Sequence, residues 1–217
     1  MLIYLSQMYQ GKDFIVAGVI YVIALVVSFT LHEFAHAFVA YKCGDDTPKY
    51  MGRVTLNPLA HIDPLGFIFS MLFFIGWAKP VEVNPIKFKH YRKDMALVSS
   101  AGVITNFIIA FFSCGIYMAI VKFSSGQNLF LSYLTIFFLV LFSLNISLAV
   151  FNFLPVYPLD GYNFLNSLTK QGNKFMEFMR AYGQVILLVI MIACSSFLSK
   201  LIGIVSYPIL LFWGWIF

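Results

Sequence analysis

Polar residues along this chain are few and gathered into short stretches, and the segments between them are apolar on every face. The apolar runs are Phe14–Leu31, Pro64–Ala78, Met95–Val121, Leu129–Phe153, Ala181–Leu198 and Leu201–Phe217. A membrane-spanning helix needs roughly 20 such residues. Four of the runs meet that length, the first continuing as helix to about Tyr41. The last has 17 residues, carries Pro208 and sits at the short limit. Pro64–Ala78 differs, with 15 residues closed in by Pro64-Leu65-Gly66 and Gly76-Trp77-Ala78-Lys79-Pro80. At that length a buried or re-entrant segment competes with a true span. The pattern predicts an all-α polytopic membrane protein with about five transmembrane helices plus a re-entrant segment, or six spans.

The polar middle of the chain predicts a small extended or β element near the membrane face. Lys49–Leu56 reads as a short strand containing Arg53-Val54-Thr55-Leu56. Lys79–Pro85 alternates briefly between two prolines and reads as an extended edge. Asn57-Pro58 and Asp63-Pro64 mark turns. There is no internal repeat. The chain reads as one unit over residues 1–217, with a core at 14–161.

Composition agrees with lipid as the solvent. Of 217 residues, 61% are hydrophobic and only 11% charged, against about a quarter charged in a soluble domain. The net charge of +5 does not point to nucleic acid, because the basic residues lie in the loops between apolar runs. Cys43, Cys114 and Cys194 are too far apart in sequence to suggest a disulfide framework or a thiolate cluster, and they read as apolar fillers. Met1–Phe14 has no small-residue cleavage site, so a cleaved signal peptide is not expected.

The basic residues also choose a topology. If Pro64–Ala78 does not span, Lys42, Lys49, Arg53, Lys79, Lys87, Lys89, Arg92, Lys93, Lys170, Lys174 and Arg180 share one face. That is 11 of the 14, leaving Lys12, Lys122 and Lys200 opposite. If it spans, the split is 9 to 5. The positive-inside rule favours the first arrangement, with the N-terminus outside and the C-terminus in the cytoplasm.

Chemistry is concentrated at His32-Glu33-Phe34-Ala35-His36. Imidazoles at i and i+4 share one helical face and can bind one zinc ion, and Glu33 then stands beside the metal to take a proton from water. Ionisable groups after 18 apolar residues are costly unless paired or metal-bound. A catalytic zinc site keeps a third protein ligand, and Asp160 is the best choice. It follows Pro155 and Pro158, which break a long apolar helix, and precedes Gly161. It can meet the histidines only if the helices carrying them run the same way, which again requires that Pro64–Ala78 not span.

Three other polar residues are weighed as support for substrate or transition state. Asn152 begins the proline-broken segment. Asn106 lies inside an apolar run, and His61 lies in a polar loop, where a plain interfacial histidine is the simpler reading. Asn145 reads first as an interhelical hydrogen-bonding residue.

These motifs resemble the site-2 protease family of intramembrane zinc metalloproteases. The resemblance rests on His32–His36, on Gly52-Arg53-Val54-Thr55-Leu56-Asn57-Pro58-Leu59-Ala60-His61-Ile62-Asp63-Pro64-Leu65-Gly66, on Gly76–Pro85 and on Asn152–Gly161, in the family's order. It implies one zinc ion per chain held by His32, His36 and Asp160, with Glu33 as catalytic base. It also implies a transmembrane protein substrate, a bacterial plasma-membrane location and a site toward the cytoplasmic side. The compact form without a PDZ domain is the closer likeness. One departure is Val103, where the family usually has proline in Ala101-Gly102-Val103-Ile104-Thr105-Asn106. A helical substrate would have to unwind, and adding a strand to the Arg53–Leu56 or Lys79–Val83 edge is one expected route. The competing expectation is a metal-ion transporter or metal sensor using the same three ligands.

Overall fold

A computed structural model of the chain describes residues 11–73, 76–124, 128–170 and 172–217. Met1–Phe14, where no cleaved signal peptide is expected, therefore lies mostly outside the described residues. The described residues form eight α-helices in order: α1 Lys12–Lys42, α2 Thr47–Tyr50, α3 Pro64–Phe73, α4 Tyr91–Phe123, α5 Leu129–Asn152, α6 Asp160–Leu168, α7 Lys174–Ala193 and α8 Ser195–Ile216. Single 3-10 turns stand at Pro58–Ala60 and Pro85–Lys87. Among the described residues, five helices, α1, α4, α5, α7 and α8, are long and apolar enough to cross a membrane. The chain is a multi-pass membrane protein.

The bundle is built on α4. It packs along α1 on one side and α5 on the other, and both neighbours run antiparallel to it. Contacts fix the directions: His36 of α1 meets Val98 and His32 meets Asn106, while Asn145 of α5 meets Ser28 of α1 and Asp160, beyond the end of α5, meets His36. So α1 and α5 run the same way. Between them, Asn145 Nδ2 donates to Ser28 Oγ at 2.8 Å and to Leu141 O at 2.8 Å. The amide is fully buried, and its simpler sequence reading, an interhelical bond, is what its contacts make. α4 runs unbroken through Val103, where the family's usual proline would have fixed φ and removed a donor.

Two expectations need correction. No strand occurs among the described residues. The predicted strand begins as α2, and the chain then turns at Gly52, whose φ is +69°, with Arg53 N donating back to Pro48 O. Side chains supply what a ladder would have supplied. Arg53 donates to Ala60 O and Lys79 O, and Asp45 accepts from Thr47 N and from Asn84 N at 2.6 Å. Residues 79–84 are held by such isolated bonds, so neither segment offers a paired β edge for a substrate strand.

The second correction concerns Pro64–Ala78, where a re-entrant segment is not supported. Residues 64–73 form a plain helix of 10 residues, about 15 Å long, half of what a span requires. It folds back on the stretch after it, because Gly66 and Gly76 leave no room for a Cβ between α3 and the Gly76–Trp77 backbone. Phe67 and Ala78 pack on Tyr21, Leu25 and Phe29 of α1. Residues 74 and 75 lie outside the described set.

The Asn145–Ser28 bond gives a test of bundle packing. Ser28→Ala should cost about 0.6 kcal/mol, with roughly 1.7 as an upper bound, in the unfolding of the detergent-solubilised protein, and should leave its zinc content unchanged. Loss of zinc would place Ser28 in the site instead.

Candidate metal centre

The pairing of His32 and His36 follows from helix geometry, since residues four apart stack on one face. Their Nε2 atoms lie 3.1 Å apart. The third group arrives from the far end of the core. After α5 the chain leaves helical geometry at Phe153, passes Pro155 and Pro158, and re-enters a helix at Asp160. Gly161 permits this return, because a Cβ there would run into the Phe153 and Leu154 carbonyls. Asp160 Oδ2 ends 3.1 Å from His36 Nε2 and 3.3 Å from His32 Nε2.

The three donor atoms form a nearly equilateral triangle. A tetrahedron with metal–ligand distances of about 2.05 Å has edges of about 3.3 Å, so the triangle matches one face of a zinc site, and an open fourth position would lie beyond it. Tautomers support the fit. His36 Nδ1 lies 2.7 Å from Val98 O, which only a protonated Nδ1 can use, so its Nε2 carries a lone pair toward the other two donors. Two ring nitrogens and a carboxylate oxygen facing one another are stable when a cation sits between them. Both histidines are only 8% exposed, and the Asp160 side chain 17%.

Asn106 sits behind His32. Its amide nitrogen stands 3.1 Å from His32 Nδ1, while its Oδ1 is buried without a partner. Exchanging the two amide atoms, which such an assignment always permits, puts Oδ1 where it accepts from Nδ1–H and turns the His32 Nε2 lone pair to the metal position. A carbonyl behind each imidazole, Val98 for His36 and Asn106 for His32, is the usual support of a metal-binding histidine.

The other expected residues lie elsewhere. Asn152 Nδ2 donates to Leu148 O in its own helix. His61 is fully buried in the polar loop, with Nε2 donating to Thr55 O at 2.8 Å and Nδ1 unpartnered. Glu33 is half-buried, one residue on from His32. Sequence reasoning passed over Gly102. A Cβ there would overlap His32 Cε1 and Nε2 and His36 Nε2, so the absence of a side chain makes the space both rings occupy. A glycine within an apolar helix, four residues before a buried amide, was the available signal.

His32, His36 and Asp160 converge as a group that could hold a metal ion, within a bundle of apolar helices. A model of peptidase family M50 matches residues 20–133 and 117–194, and the chain belongs to that family, the site-2 proteases. The Bacillus subtilis protein named "Putative zinc metalloprotease YwhC" is 41% identical over 193 residues, covering 87% of this chain and 84% of its own. "Putative zinc metalloprotease Rip2" of Mycolicibacterium smegmatis is 28% identical over 173 residues, covering 77% and 64%. "Putative zinc metalloprotease MJ0611" of Methanocaldococcus jannaschii is 29% identical over 150 residues, covering 68% and 69%. No solved structure matches the chain. The protein is a zinc-dependent peptide hydrolase of the membrane, which answers the transporter and sensor alternative.

Gly102→Ala and Asn106→Leu should each lower zinc affinity by roughly 10- to 100-fold, measured by competition with a chromophoric chelator. Asn106→Asp, which keeps an oxygen behind His32, should retain most of it. Unchanged affinity in Asn106→Leu would remove the amide from the site.

Proposed function

We propose that this enzyme hydrolyses peptide bonds in transmembrane segments of other proteins, within or close to the bilayer. The observation that carries the reading is the His32–His36–Asp160 triangle at the inner end of an 18-residue apolar run. A soluble substrate has no reason to be met there, whereas a substrate already in lipid reaches that depth by lateral diffusion.

His32, His36 and Asp160 hold the metal in this reading. Zinc bound there supplies Lewis acidity, lowering the pKa of water and polarising the scissile carbonyl. Glu33 takes the proton of the attacking water and passes it to the leaving amine. Asn106 acts through His32 rather than on substrate. Asn152, where the chain breaks from α5 toward Asp160, is assigned to the substrate backbone. His61 is assigned to the loop, because its ring is enclosed and tied to Thr55 O. The catalytic core is residues 14–161, within a single unit of 1–217. The basic loop between α1 and α4 supports a site toward the cytoplasmic side and an N-terminus outside.

Glu33→Gln separates binding from catalysis. It should retain one zinc per chain and lose about 10²- to 10⁴-fold of the rate, the usual worth of a general base. The assay is cleavage of a single-span substrate co-reconstituted in liposomes, read by fragment mass. A Glu33→Gln protein that cuts at the wild-type rate would end the assignment of the base.

A further inference from the structure

The last two helices do not form the hairpin that their apolar runs suggest. α7 and α8 are separated by Cys194 alone, and Cys194 itself stays in hydrogen-bond register with both: its N donates to Ile190 O, and its O accepts from Leu198 N. Two helices crossing back to back would pack along their length, yet α7 makes few contacts with α8 or with any other helix.

The middle of α7 packs against the segments that flank Asp160. A Cβ on Gly183 would collide with the Tyr157 backbone, and Tyr162 Oη donates to Met176 O. α8 starts on the site's side of the bundle and runs parallel to α4. Val205 and Ile209 lie along Phe107 and Phe111, Trp213 Nε1 donates to Phe111 O at 2.8 Å, and Phe217 O accepts from Lys122. The C-terminus therefore sits at the end of α4 remote from the site. The described N-terminal end of α1 lies there as well, because α1 is antiparallel to α4. These contacts argue for the end opposite the one expected for the C-terminus.

We infer that α7 does not cross the bilayer but is seated along its surface on the site's side, where it binds anionic phospholipid. Four of the described helices then cross, and Phe217 and the described start of α1 lie opposite the site. Lys170, Lys174 and Arg180 face the headgroups, with Glu177 the one acid among them. Phe178, Tyr182, Val185, Val189 and Ile192 form an exposed stripe at helical spacing, opposite the protein-facing Met176 and Gly183. A charged segment with an apolar stripe is what an interfacial helix presents to the acyl boundary. The charge distribution supplies independent support. Beginning α8 on the site's side moves Lys200 there, so the 11 basic residues on that face become 12 of the 14, leaving Lys12 and Lys122 opposite. The positive-inside bias is sharper than in the five-span arrangement.

Spin labels placed singly at positions 178 to 192 test this in the full chain, in a background lacking Cys43, Cys114 and Cys194. In phosphatidylglycerol-containing vesicles, label depth should oscillate with the helical period about a constant mean. A steady descent through the bilayer centre to the far side would overturn the inference. A cysteine added after Phe217 should react with an impermeant maleimide on the side opposite one placed at Gly172; reaction on the same side would overturn it equally. Labels should also sit deeper in phosphatidylglycerol than in pure phosphatidylcholine, a difference that Lys174→Gln with Arg180→Gln should remove. Depth independent of lipid charge would contradict the headgroup contact.

Discussion

Three donor atoms held within 3.3 Å of one another among apolar helices set the terms for the rest of this molecule. In water such a cluster could separate or be solvated. Beside lipid, two imidazoles and a carboxylate are tolerable only in mutual contact or around a cation. Every nearby departure from a plain helix bundle serves that convergence. α5 ends where it does so that Asp160 can return at a helix start. Gly161 lets the return pass the end of α5, and Gly102 leaves a hollow in α4 for both rings. The carbonyls of Val98 and Asn106 fix which nitrogen of each ring is free.

The bundle holds these parts in register. α4 touches both histidines, while α1 and α5 run parallel on either side of it, which brings the two ligand-bearing segments to the same depth. The polar loop between α1 and α4 is braced by two buried charges rather than by a sheet. Arg53 gathers the carbonyls of Ala60 and Lys79, and Asp45 gathers the amides of Thr47 and Asn84. This leaves a compact, basic cap on the site's side of the bundle, with α3 folded against α1 beneath it.

Much of this was legible in the sequence because it is local or forced by length. Helical periodicity pairs His32 with His36. Proline breaks mark the approach to Asp160, and the helices carrying the three residues run parallel once Pro64–Ala78 does not span. The loop was misread because Arg53-Val54-Thr55-Leu56 has strand-like composition, while its fold is decided by long-range hydrogen bonds from Arg53 and Asp45 that composition does not encode. Gly102 was passed over for the opposite reason: its role is an absence of atoms, and the two rings that fill the space come from another helix. The direction of α8 was lost because apolarity counts possible crossings without saying which are made. Phe217 beside Lys122 reports it directly.

The central claim is that one zinc ion is held by two imidazole nitrogens and one carboxylate oxygen. Zinc K-edge X-ray absorption on the purified protein measures this without reference to activity. The account predicts nitrogen and oxygen ligands at about 2.0–2.1 Å with two imidazole signatures, and loss of the bound zinc in Asp160→Ala. A sulfur shell at about 2.3 Å, or a spectrum unaltered in Asp160→Ala, would contradict it.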